Sequence, residues 1–186
     1  MSKLYKIIYA DPPWHYNDKS KSHGGGAESH YKTMKVSDIC NLAIPADKDS
    51  VLLLWATYPQ LEEAFKVINA WGFKYKTCAF TWVKINKNGS IYMGMGGHTR
   101  ANAEICLLAS RGKGLSRINA GIYNTQLHQR SKHSEKPDAF RQEIVRLYGD
   151  VPRLEMFART KSDGWDSWGN EIVSDIYLAP KGERDE

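Results

Sequence analysis

The sequence predicts an α/β fold built on a mostly parallel β-sheet. Short apolar runs alternate along the chain with segments of helical periodicity. Several of these runs are apolar throughout, as strands covered on both faces are. No repeat, linker or shift of composition divides the 186 residues, so residues 1–186 are read as a single domain. A chain of that length can bury a full core without disulfides or metals.

Leu4 to Ala10, LYKIIYA, opens the chain as a buried strand, and Asp11-Pro12-Pro13 ends it. Residues 15–35 are polar, carry Gly24-Gly25-Gly26 and show no period. They read as a long loop of functional character. Val36 to Leu42 fits a short helix. Val51 to Ala56, VLLLWA, is the second strand. In Pro59 to Trp71 the apolar Leu61, Ala64, Phe65 and Ile68 stand at i, i+3, i+4, i+7, the spacing of an amphipathic helix, and Gly72 suits its end. Tyr75 to Lys84 is a third strand, followed by a Gly-rich loop at 86–100. Ala103 to Ala109 is a fourth strand, and Ser110 to Glu135 is polar with no assigned element. Pro137 to Tyr148 reads as a helix with proline in its first turn and Gly149 after its end. Arg153 to Phe157 is the last assigned strand, with no strand or helix expected between it and Ile176.

Composition narrows the function. With 41% hydrophobic and 25% charged residues the chain is neither disordered nor fibrous. No apolar run approaches a membrane span, and no signal-peptide pattern opens the sequence, so a cytoplasmic setting is expected. Cys40, Cys78 and Cys106 form no CxxC pair and no metal-ligand array. They read as buried small hydrophobes, and no metal is expected. A net charge of +5 and a pI near 9.0 favour an anionic partner.

The chemistry is carried by Asp11-Pro12-Pro13-Trp14. It stands just past the carboxyl end of a buried strand, where open α/β sheets bind ligands. Two prolines fix φ and remove two donors, so their carbonyls become rigid acceptors. Asp11 adds a carboxylate, and Trp14 a flat face on which a base can stack, worth roughly 1–3 kcal/mol. A carboxylate and a carbonyl together accept both N–H bonds of an aromatic amine. The nitrogen lone pair is then available to attack an activated methyl sulfonium, and positioning plus electrostatics suffice.

These segments, with YKTM at 31–34, LLLWAT at 52–57, WGFKY at 71–75, FTWVK at 80–84, EKPDAF at 135–140, RLEMFAR at 153–159 and GWDSWGNE at 164–171, resemble the DPPW-type N6-adenine methyltransferases of the MT-A-seventy family. The resemblance covers nearly the whole chain. It implies a Rossmann-like, S-adenosylmethionine-dependent methyltransferase fold with helices on both faces. The fold is circularly permuted, with the catalytic tetrapeptide first and the cofactor segment last, and one strand near an edge runs antiparallel. It implies that Asp11 and Pro12 bind the target amine, with Asp11 also near the cofactor's methionine part, and that Trp14 stacks on or walls the adenine. Lys136 would meet the cofactor's carboxylate. Arg159, Asn170 and Glu171 would hold its ribose and adenine, and Glu155 and Phe157 would line that pocket. Tyr31, Lys84 and Glu104 would face the substrate. The family lacks the general glycine fingerprint after the cofactor strand, and Ala158-Arg159 stands there instead.

The two loops, 15–35 and 86–100, flank this site with Lys19, Lys21, Lys32, Lys35, Lys84, Lys87 and Arg100. They are expected to clamp a phosphate backbone. Adenine inside a duplex must be flipped out or met as a single strand. The leading expectation is a DNA adenine methyltransferase of prokaryotic or phage type, monomer or homodimer. An RNA adenosine methyltransferase and an inactive nucleic-acid-binding scaffold are the alternatives.

Overall fold

A computed structural model of the chain describes residues 3–15, 33–96, 98–130 and 135–182. The apolar runs become strands β1 (Tyr5–Ala10), β2 (Ala46–Ala56), β3 (Lys74–Ile85), β4 (Ala103–Arg111) and β6 (Arg153–Met156). The amphipathic segments become α1 (Val36–Cys40), α2 (Leu61–Ala70) and α3 (Ala139–Tyr148). Two further strands, β5 (Thr125–Gln129) and β7 (Asp166–Trp168), stand where no strand was expected.

Among the described residues seven strands form one sheet in the order β5-β3-β4-β2-β1-β6-β7. The pairings β1–β2, β1–β6, β6–β7 and β3–β5 are parallel. Only β4 runs against its neighbours β2 and β3, third from the β5 edge. This is the mostly parallel, Rossmann-like sheet that the sequence predicted.

Alternation along the two central strands builds two cores. Ile8, Ala10, Leu52, Leu54 and Ala56 point to one face and pack with Ile39 of α1 and Ala64, Val67 and Ile68 of α2. Ile7, Tyr9, Val51, Leu53 and Trp55 point to the other, against Phe140, Ile144 and Tyr148 of α3. Helices therefore cover both faces, and β1 and β2 are buried on both sides.

The registers set the site. Ala10 at the end of β1 pairs with Met156 at the end of β6, and Met156 pairs with Trp168 at the end of β7. Three carboxyl ends thus lie side by side, although Asp11 and Trp168 are far apart in sequence.

Local differences have local causes. β2 begins at Ala46, five residues before the apolar run, because Ala46 pairs with Tyr5. The α3 cap is Asp138, so Pro137 lies one residue outside the helix rather than in its first turn. Cys106 is buried, but Cys40 and Cys78 are only half-buried, on α1 and on β3. Gly72 and Gly149 follow α2 and α3 in positive-φ conformations, as their places predicted.

Candidate active site

Immediately past β1 the chain makes a tight turn. The Trp14 N–H donates to the Pro12 carbonyl at 2.8 Å, and the Met34 N–H to the Pro13 carbonyl at 2.9 Å. One lone pair of each proline carbonyl is therefore held within the protein. A carbonyl has two, so each keeps one that this bond does not use. The Asp11 N–H meets the Met156 carbonyl at 3.4 Å, which ties the turn to the end of β6.

Trp14 is not the exposed platform that the sequence suggested. It is 4% exposed, packs in the α1/α2 core, and donates its indole N–H to the Trp55 carbonyl at 3.1 Å. A ring fixed there anchors the proline turn.

Asp11 carries the site's charge. Its Oδ2 accepts from Lys136 Nζ at 2.6 Å, and the same ammonium lies 3.1 Å from Glu104 on β4. Glu104 also accepts from Lys84 on β3, two residues along that strand from Trp82, the residue paired with Glu104. The result is an alternating row, Asp11–Lys136–Glu104–Lys84. Burial pushes the Asp11 carboxyl above its ordinary value, against the pull of Lys136. Burial would also raise Glu104, but Lys136 and then Lys84 hold it below. Burial alone would lower Lys136, yet the carboxylates of Asp11 and Glu104 hold its ammonium charged, above its usual range.

Lys136 and Lys84, expected on cofactor and substrate, thus have carboxylate partners inside the protein. The expected substrate residue Glu104 is 8% exposed between them. Tyr31, Lys19, Lys21 and Lys32 lie outside the described residues, while Lys35, Lys87 and Arg100 are exposed.

Beside Asp11 opens a cavity of about 450 Å³. Asp11 and Pro13 line it from β1, Phe157 and Arg159 from the turn after β6, and Asn170 and Glu171 from the turn after β7. Phe157 takes φ 63, a left-handed turn that aims the chain sharply off the strand. Its ring meets Trp168 edge-on at 5.2 Å. Gly169 lets the two turns touch, since a Cβ there would stand 2.1 Å from the Ala158 carbonyl oxygen. Arg159 pairs with Glu171 across the rim at 3.6 Å.

Glu155 differs from its expected role. It is held by Arg141 of α3 through two bonds, 2.7 and 2.6 Å, and lines a narrow gap beside Asp11 instead of this cavity. Beyond the gap, Lys136, Thr160, Lys161 and Ser162 border a wider groove of about 1080 Å³.

The sequence profile of the MT-A70 family matches residues 5–171. The chain belongs to the MT-A70 family. It is 35% identical to the type II methyltransferase M.MunI of a Mycoplasma species, over 99% of this chain and 85% of that protein. It is 26% identical to the N6-methyladenosine RNA methyltransferase MTA1 of Cryphonectria parasitica, over 91% of this chain and 52% of that protein. To the N(6)-adenine-specific methyltransferase METTL4 of Mus musculus it is 26% identical, over 95% of this chain and 40% of that protein.

Of the residues expected at the site of this MT-A70 family member, Asp11, Pro13, Phe157, Arg159, Asn170 and Glu171 line the cavity, and the neighbouring gap and groove hold residues that were not expected. Arg141, Thr160, Lys161 and Ser162 were not singled out. Arg141 had one usable signal, an arginine on the face of α3 that also carries Ile144 and Tyr148.

Proposed function

We propose that this methyltransferase moves the methyl group of S-adenosylmethionine to N6 of adenine in DNA, on a flipped or single-stranded base. One observation carries the reading. Asp11, the proposed amine acceptor, its neighbour Pro13 and the cofactor candidates Phe157, Arg159, Asn170 and Glu171 wall a single cavity. Its volume suits a ligand of that size, and its lining mixes aromatic faces with a guanidinium, an amide and a carboxylate. Those groups fit a nucleoside with an attached amino acid. Bound there, S-adenosylmethionine supplies an electrophilic methyl.

The protein's part is positioning. Asp11 and the second lone pair of the Pro12 carbonyl accept the two N–H bonds of the adenine amine, so its lone pair turns toward the methyl. The N–C bond forms as the C–S bond breaks, and the sulfur keeps the pair. One proton leaves the nitrogen, and the raised affinity of the Asp11 carboxyl suits it as acceptor. Lys136 fixes Asp11 during this exchange. Similarity supports DNA over RNA, because the type II methyltransferase is closer than the RNA enzyme.

The test is mass spectrometry of nucleosides after incubation with isotope-labelled cofactor and matched DNA and RNA oligonucleotides. Labelled N6-methyladenine is expected in DNA. Asp11→Ala is expected to lower it by on the order of 10³-fold. Undiminished product from that variant overturns the mechanism, and label confined to RNA overturns the choice of DNA.

A further inference from the structure

The loop that leaves β3 is not a plain polar connection. It runs back along its own strand, with the Tyr92 N–H on the Lys84 carbonyl at 2.9 Å and an Ile85↔Ile91 bridge. From there the backbone alternates. Ile91, Met93 and Met95 are 59%, 71% and 85% exposed, whereas Tyr92 is half-buried and Gly94 buried. An extended segment puts every second side chain on one side. Three large apolar side chains therefore project together from the protein.

At the base of the projection the chain doubles back on itself closely. A Cβ at Gly94 would stand 1.9 Å from the Ala101 carbonyl oxygen, and one at Gly96 2.0 Å from that of Thr99. Only glycine permits so close a doubling of the chain. The Arg130 guanidinium stacks on the Tyr92 ring at 4.0 Å, and Arg100 lies against Met95. The limb ends in Lys84, which joins the ion row leading to Asp11.

Exposed methionines on a doubled-back loop that also carries Lys87 and Arg100, with Arg130 against its Tyr92, do not suit a phosphate clamp alone. Phosphates need cations, and methionine offers them nothing. Apolar side chains do suit the gap between two stacked bases, where Met, Ile, Leu and Phe act as wedges. Resting on the DNA methyltransferase reading above, we propose that Met93 and Met95 enter the base stack next to the target adenine, filling or opening the space that the flipped base leaves. The arginines hold the flanking backbone.

Wild-type protein is first used to map a methylated adenine in plasmid DNA. A 30-base-pair duplex around it, a length of roughly three helical turns, is then made in two forms, matched and with the target adenine mispaired. Mispairing removes much of the cost of extrusion. The variant M93A/M95A is expected to lose on the order of tenfold in methyl transfer on the matched duplex, with most of the loss restored by the mispair. M93L/M95L keeps the apolar bulk and is expected to transfer almost as wild type does. An unchanged melting temperature controls for folding, since both residues are exposed. A deficit that the mispair does not relieve, or no deficit at all, overturns the wedge. A wild type that methylates no plasmid DNA overturns the DNA reading itself, and the wedge with it.

Discussion

Two buried ion clusters lie side by side below the proposed site, and they are built differently. Arg141 and Glu155 form a bidentate pair, and Arg141 Nη1 also reaches the exposed Asp138 at 3.2 Å. Two parallel bonds satisfy both charges, and their side chains are 10% and 8% exposed. Lys136 instead divides one ammonium between Asp11 and Glu104, and the Asp11 side chain remains 28% exposed toward the cavity. The bidentate pair fixes α3 on β6 and occupies both oxygens of Glu155. A shared cation leaves a carboxylate with bonding capacity to spare, which is what an amine acceptor requires. On the proposed mechanism the contrast separates an arginine that ties α3 to β6 from a lysine that holds the acceptor carboxylate, although Arg141 and Lys136 lie only five positions apart.

The sharpest way to break this contrast is Arg141→Met. It leaves the Glu155 carboxylate buried without its partner, and removal of one member of such a pair costs about 3–5 kcal/mol. Urea unfolding is expected to show that loss. The double variant R141M/E155L is expected to recover most of it, because apolar replacement of both partners is often neutral. Unfolding unchanged in R141M, with methyl transfer lost, would move the pair from scaffold to site.

What the sequence displayed and what it hid follow the same division. Strand-end motifs were legible because one segment carries them whole. Asp11-Pro12-Pro13 ends β1, and Phe157 to Glu171 follows β6 and surrounds β7. Partners brought together by the sheet were not legible. Lys84 and Glu104 read as two separate substrate residues until the pairing of β3 with β4 set them against each other. Arg141 meets Glu155 only because α3 lies back over the sheet. The strand β5, TQLHQ, was missed because it is an edge strand with alternate residues exposed and little apolar pattern. Three residues of β7 are too few to show a period. Trp14 could have faced base or core, and only the Trp55 carbonyl above its indole decides for the core.

Lys136→Met is the next test. The shared cation goes, and Asp11 loses the pull that opposes burial most strongly. Its carboxyl then rises further above the ordinary range. The sign is plain: a carboxylate with a raised value is protonated at higher pH, so the acid limb of kcat/KM moves to higher pH. That limb reports the free enzyme. At neutral pH a drop of roughly 10²-fold is expected, the cost of misplacing a reacting group by about 1 Å. A lower rate with an unmoved limb would show that Lys136 serves packing alone.

Glu104→Gln should act in the opposite direction, and more weakly. Glu104 repels the Asp11 charge and raises its carboxyl. It also draws on the ammonium that Asp11 uses. Glutamine removes the negative charge and keeps one oxygen, enough to accept from Lys84 or from Lys136 but not from each through its own oxygen as the carboxylate does. Both changes favour the charged form of Asp11, so the acid limb moves to lower pH. The neutral rate should change by only a few-fold, since about 1 kcal/mol of hydrogen bonding is at stake. Opposite displacements of the limb in Lys136→Met and Glu104→Gln, measured on one DNA substrate, require that both residues act on the same carboxylate. Displacement in the same direction would mean that Glu104 governs the site by holding Lys136 in place, not by its own charge.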